Sequence, residues 1–135
     1  MPKYLNGCCE NCKKEYIYPS SAMGKFCSHT CQMDFQFKIN IENWKIGKDL
    51  GYTGKTKQIK KWIRRYLIDK SGNKCVKCGW CEIHPQTNNC PLEINHIDGD
   101  AENCIEQNLE VICPNCHSLT PNFRNLNSNS KRIRK

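Results

Sequence analysis

The sequence predicts a small α+β protein whose short strands and helices are held by cross-links rather than by a large apolar core. Three observations lead there. The chain has 135 residues, and only 38% of them are apolar, which is too few for an oil-like interior of any size. Twelve cysteines are present, and eight of them fall in closely spaced pairs. The second half carries two short alternating apolar runs followed by a proline-led helix pattern. At about 150 residues per domain, the length favours one compact unit, or a core plus a minor module.

The compartment follows from the cysteines. The chain opens Met-Pro-Lys-Tyr without an apolar signal segment, and no run approaches the roughly 18 apolar residues of a membrane span. A secreted or membrane-spanning protein is therefore disfavoured, and a reducing cytoplasm is expected. There, Cys-x-x-Cys pairs are zinc ligands more often than disulfides.

Four segments are expected: 1–40, a zinc-finger module; 41–72, a linker and basic helix; 73–125, the central domain; and 126–135, a flexible basic tail. In the first, Cys9 and Cys12 form a tight knuckle, and Cys27 and Cys31 sit one helical turn apart at the start of a helix through Gln32–Phe37. Four thiolates on tetrahedral Zn2+ make a closed structural site. Cys8 in place of Cys9, and His29 as a ligand, stay open. The pattern resembles a treble-clef zinc finger.

Residues 41–55 carry three glycines and little periodicity, which predicts a linker pinned by Trp44 and Tyr52. Thr56 to Lys70 predicts an amphipathic helix. Ile59, Trp62, Ile63, Tyr66 and Leu67 make one stripe, Thr56 is placed to cap it, and Ser71-Gly72-Asn73 stops it. Lys57, Lys60, Lys61, Arg64 and Arg65 lie largely off the stripe and are candidates for phosphate contact; a merely solvated face is the bland alternative.

Charge is distributed unevenly. The net charge is +8, yet eight basic residues face two acids between Lys48 and Lys70, while Leu92–Ser118 holds six acids and no Lys or Arg. A basic arm beside an acidic centre suits a protein that grips phosphates with one part and holds a cation with another.

In the central domain, Cys75-Val-Lys-Cys78 and Cys113-Pro-Asn-Cys116 predict a second four-cysteine zinc site. Gly79 supplies the positive φ that the knuckle needs. Cys81, Cys90 and Cys104 fall into no pair. Leu92–Ile97 predicts a strand, Asp98-Gly99-Asp100 a turn and Leu109–Cys113 the return strand. Pro114 then starts a helix with His117 in its first turn. Two strands and a helix are thereby wrapped around one spot.

The run Asn95-His96-Ile97-Asp98-Gly99, then Asn108-Leu109, then Cys113-Pro-Asn-Cys116-His117-Ser118 resembles the HNH, or ββα-metal, endonucleases over roughly residues 75–122. The likeness extends more loosely to the amino-terminal finger and basic arm. It implies a ββα-metal (His-Me finger) core that cuts double-stranded DNA. His96 would be the general base, Asn108 the tie between strands that helps hold the base's ring, and His117 with Asn95 the ligands of one divalent cation, Mg2+ or Mn2+. Family members commonly carry Asp or His where this chain has Asn95, so Glu93 or Asp98 could complete the site. The resemblance also implies a phage or bacterial enzyme of homing or restriction type, acting as a monomer or homodimer on DNA. A non-catalytic zinc-finger DNA-binding protein is the alternative, although a degenerate nuclease would be expected to lose a histidine or Asn108. Arg124 is a further phosphate candidate. Asn125–Ser130 reads as flexible, and Lys131–Lys135 as a basic tail.

Overall fold

The computed structural model describes residues 2–128; the basic run Lys131–Lys135 lies outside them. The chain divides into two compact units, Met1–Glu42 and Asn43–Lys135. No helix among the described residues is long and apolar enough to cross a membrane.

The first unit opens with an antiparallel hairpin that the sequence reading did not foresee, β1 (Tyr4–Cys8) and β2 (Glu15–Pro19). Their register pairs Tyr4 with Pro19 and Cys8 with Glu15. The knuckle is its turn, closed by Lys13 N–H to Cys9 O at 2.9 Å, with Lys13 at φ 64°. The helix expected over 32–37 is longer. α1 spans His29–Lys45, and Ser28 Oγ caps it by accepting the Cys31 N–H at 3.1 Å. Residues 41–45, expected as linker, complete this helix. Ile41 and Trp44, three apart, are both buried, as one helical face would have it.

The second unit takes over at Asn43. Trp44 pins the chain as expected, its Nε1–H donating to Cys104 O at 2.6 Å, with Tyr66 edge-on at 5.9 Å. A small hairpin follows, β3 (Tyr52–Thr53) and β4 (Gln58–Ile59). The basic helix therefore starts later than expected: α2 is Lys61–Lys70, with Lys60 rather than Thr56 at its N-cap. Gly54 and Lys57 take positive φ, which bends 54–57 into a turn, and Ile59 pairs with Tyr52. Apolar spacing alone could not separate that strand from a first helical turn. The stop is where the sequence put it, with Ser71 as C-cap and Gly72 and Asn73 at positive φ.

The α2 stripe faces inward through buried Ile63 and Leu67. It shares a core with Leu92, Leu109, Val111, Ile112 and Cys104. Each of the fully buried side chains Ile63, Leu92 and Ile112 contributes roughly 1.5–3 kcal/mol. Arg64 Nη2 donates to Leu92 O at 2.7 Å, tying α2 to the strand that follows. Glu106 gathers Lys70, Lys45 and the Tyr66 hydroxyl. Although burial alone would raise it, the Lys70 and Lys45 ammonium groups hold the Glu106 carboxyl below its usual range.

Gly51 is the tightest point of this core. It sits at φ 85°, and a Cβ there would lie 2.9 Å from Ile63 Cδ1 and 3.0 Å from Cys104 Cβ. Left-handed backbone costs a non-glycine residue about 1–2 kcal/mol, before any crowding. Gly51→Ala is expected to destabilise the zinc-loaded protein by at least that much, measured as a lower denaturation midpoint. An unchanged midpoint would show that this packing is looser than described.

Candidate functional site

The site is built on a second knuckle, a hairpin and a short helix. Cys75 O accepts the Gly79 N–H at 2.9 Å, with Gly79 at φ 77° as expected. β5 (Glu93–His96) and β6 (Leu109–Ile112) pair antiparallel, with Asn95 opposite Glu110 and His96 opposite Leu109. α3 (Pro114–Ser118) begins at once, its first N–H groups capped by Cys113 Sγ, which accepts from Cys116 N at 3.4 Å. Val76 N–H reaches Val111 O at 3.0 Å, so knuckle and hairpin are stitched directly.

Two cysteine tetrads could hold zinc. The sulfurs of Cys75, Cys78, Cys113 and Cys116 lie within 4.8 Å of one another, and so do those of Cys9, Cys12, Cys27 and Cys31. A tetrahedron with Zn–S bonds of about 2.3 Å has edges near 3.8 Å. Cys78–Cys113 at 3.7 Å and Cys12–Cys27 and Cys27–Cys31 at 3.6 Å match it. Cys8 stands outside, its thiol donating to Lys13 O, and His29 belongs to neither group.

Proton affinities fit a cation. Burial would raise the Cys75 thiol, but backbone N–H groups of Cys78, Cys113 and Lys77 hold it at about 6. Cys9 is held at about 6 against burial in the same way, by Cys12, Cys27 and Asn11. Sharing hydrogen bonds with neighbouring sulfurs pushes Cys27 and Cys116 up to about 12. Four crowded sulfurs cannot all ionise by themselves; a divalent ion lets them.

Beside the second tetrad opens a cavity of about 720 Å³, lined among others by Glu93, Asn95, His96, His117, Phe123 and Arg124. His117 stands edge-on to Phe123, and its Nδ1 pairs with Glu93 Oε2. That contact leaves Nε2 as the ring nitrogen on offer to a cation. Asn95 Nδ2 donates to Glu110 Oε1 at 2.8 Å, so Oδ1 is the atom it could offer a cation. Of the two alternative carboxylates, Glu93 lies in the cavity. Asp98 instead spends its oxygens on Asn103 Nδ2, Asn108 Nδ2 and the Asp100 N–H. Burial would raise its carboxyl, but those bonds hold it below its usual range.

Asn108 is buried and ties the strands, since its carbonyl accepts the Ile97 N–H at 2.8 Å. Its side chain grips the intervening loop. Oδ1 accepts the Asp98 N–H at 3.1 Å, and Nδ2 donates to Asp98 Oδ1 and, at 2.7 Å, to Asn103 O. The resemblance implied that Asn108 ties the strands and helps hold the His96 ring; the bonds described for it fall on the Ile97 and Asp98 backbone, the Asp98 carboxylate and Asn103 O, next to His96 in the chain. Asn108→Ala orphans groups worth roughly 1–3 kcal/mol each when buried. Its midpoint should fall accordingly, and Asn108→Asp should fare no better, because a carboxylate would then face Asp98. A midpoint equal to wild type in both variants would remove Asn108 from this role.

Arg124 reaches the cavity because the segment after α3 is latched to the loop. Asn122 Nδ2 donates to Ile97 O at 3.0 Å and Asn127 Nδ2 to Gly99 O at 2.7 Å. A 3-10 turn, Arg124–Leu126, lies between, so the flexible stretch expected from Asn125 does not begin there. The guanidinium rests over Phe123, 4.9 Å from the ring centre.

The other phosphate candidates divide. Lys57 pairs with Glu102 at 3.3 Å and Lys60 with Asp49 at 2.7 Å, and neither lies on α2. Arg64 is tied to Leu92 O, while Lys61 and Arg65 are exposed on α2. Sequence reasoning missed the Glu93–His117 pair, the Asn122 and Asn127 latches, and a contact of His96 Nε2 with Cys104 Sγ at 3.4 Å.

Comparison with known proteins bears on this arrangement. Over 52 residues, 36% of its length, the chain is 42% identical to the H-N-H endonuclease F-TflIV of Escherichia phage T5. That match covers 21% of the phage protein, so the chain spans about a fifth of the relative it resembles. No protein-family model matches the chain, and no solved structure does.

Proposed function

We propose that this chain is a metal-dependent endonuclease of the HNH type that hydrolyses phosphodiester bonds in double-stranded DNA. The observation that carries the reading is the convergence of His96, Asn95, Glu93 and His117 on one cavity beside a cysteine tetrad. The similarity to a phage H-N-H endonuclease supports it.

In this reading His96 takes a proton from water, a task suited to an imidazole with a reference pKa of about 6.5. The water oxygen bonds to phosphorus, the bond to the 3′ oxygen breaks, and solvent returns a proton to that oxygen. The products carry 5′-phosphate and 3′-hydroxyl ends. His117 Nε2, Asn95 Oδ1 and the Glu93 carboxylate would hold Mg2+ or Mn2+, which supplies Lewis-acid stabilisation of charge on the phosphate. Glu93 offers the anionic oxygen that the neutral Asn95 lacks. Arg124, Lys61 and Arg65 make phosphate contacts, two Zn2+ ions are structural, and residues 1–40 act as a zinc finger. The setting is the cytoplasm of a bacterium or of a phage-infected cell, with a homing or restriction role and one or two subunits on the DNA.

Supercoiled plasmid is the direct test. Relaxation or linearisation that requires Mg2+ or Mn2+ is expected of the zinc-loaded protein. Binding without cutting in every divalent metal would leave a zinc-finger DNA-binding protein, and preferential cutting of structured RNA would reassign the substrate.

A further inference from the structure

We propose that Phe123 is a positioning residue for the imidazole of His117, pressed onto it by a strap, residues 120–127, that two asparagines tie down on the loop after β5. The cation that His117 would hold rests on the nuclease reading above; the strap and its ties do not.

A ligand histidine on a short helix needs its ring steadied. α3 is only five residues long, with His117 in its last turn, and the outer torsion of a histidine side chain is soft. Two groups meet this ring. The Glu93 carboxylate pairs with Nδ1. Phe123 stands edge-on, the ring centres 5.4 Å apart and the planes at 73°, within the favourable range for aromatic pairs. One hydrogen bond pins a single point of a ring; an apolar wall beside it stops the ring from swinging about that point. Both Phe123 and His117 line the cavity.

Phe123 arrives there because the chain is turned back and strapped. The hydroxyl of buried Thr120 donates to His117 O at 2.8 Å, and Phe123 N–H donates to Thr120 O at 3.3 Å. Asn122 on Ile97 O and Asn127 on Gly99 O then close the strap. Gly99 makes room for both ties, since a Cβ there would lie 2.9 Å from Asn122 Cγ and closer still to Asn127 Oδ1. Arg124, next to Phe123, sits at φ 49°, a left-handed backbone that a side chain adopts only when its surroundings impose it. The ties therefore set the path of the strap, and local preference does not. They fall on the first and third residues after His96, so the strap joins that end of β5 to the ring of His117.

The test is titration of the full-length, zinc-loaded protein with Mn2+ alone, followed by the relaxation of water protons, well below the melting transition of each variant. Wild type is expected to bind Mn2+. Phe123→Ala should bind it roughly 10–100-fold more weakly, the usual effect of losing a group that orients a metal-ligating histidine. Phe123→Tyr keeps an aromatic edge and should restore most of the affinity. Asn122→Ala combined with Asn127→Ala leaves both rings in place, yet should weaken Mn2+ binding by a similar factor. Equal affinity in wild type and Phe123→Ala overturns the proposal, and so does a wild type that binds no Mn2+. Wild-type protein also gives a reading that no misfolded variant can spoil: nuclear Overhauser contacts between the ring protons of His117 and Phe123 are expected, and their absence overturns the proposal. If Mn2+ behaves as expected and no DNA is cut, the nuclease reading fails while Phe123 keeps its role. If DNA is cut and Phe123→Ala binds Mn2+ like wild type, the nuclease reading stands and Phe123 loses that role.

Discussion

His96→Ala is expected to lower DNA cleavage by at least about 10²–10⁴-fold, the usual contribution of a positioned general base, while plasmid binding stays near wild type. The ring is buried at the end of β5, where the chain turns through Gly99 N–H to His96 O at 2.9 Å. Its loss should therefore leave the hairpin register intact. The phosphate contacts proposed for Lys61, Arg65 and Arg124 would be untouched. Gel-shift and cleavage assays on the same preparation separate the two effects. A variant that binds and still cuts at more than a tenth of the wild-type rate would remove His96 from the chemistry. His117→Ala should differ in kind, with cleavage partly restored by raising Mg2+, because a ligand rather than a base has been lost.

Cys113→Ser is expected to unfold the second unit. Cys113 Sγ belongs to the tetrad and also caps α3, and its neighbours Ile112 and Val111 are core residues. Zinc bound by four thiolates contributes about 10–16 kcal/mol in small fingers, as much as the whole stability of a typical domain. An apolar fraction of 38% leaves little to replace it. Metal analysis should find two Zn2+ in wild type and one in Cys113→Ser, with loss of the cooperative thermal transition of residues 43–128. Cys27→Ser should also retain one Zn2+ but keep that transition. Two Zn2+ and an unchanged melt in Cys113→Ser would sink the structural-zinc account.

What could be read from the sequence was whatever local spacing encodes. Cys-x-x-Cys pairs announce themselves because both thiolates must reach one point from a single turn. Pro114 marks a helix start by its missing N–H, and Gly72-Asn73 mark a helix end by φ. The 56–60 segment went wrong because Ile59 satisfies a helical stripe and a strand pair equally; its partner Tyr52, seven residues away, decided the matter. β1 and β2 were missed because no strand residue in them is buried, so alternation left no mark. The Glu93–His117 and His96–Cys104 contacts arise only when β5 meets α3 and the 98–108 loop folds back, and no single window of sequence holds both partners.

The internal ion pairs of Lys57 and Lys60 have a consequence for counting charges. Each phosphate neutralised by a protein cation releases condensed counterions and adds about −0.9 to the slope of log K against log salt. Six cations looked available from composition. Lys57 and Lys60 have carboxylate partners at Glu102 and Asp49, Arg65 stands 4.0 Å from Asp69 on the exposed face of α2, and the guanidinium of Arg64 is bonded to a strand carbonyl. Lys57, Lys60 and Arg64 steady the scaffold, and the counterion release this surface can deliver is at most about half of what its lysines and arginines advertise.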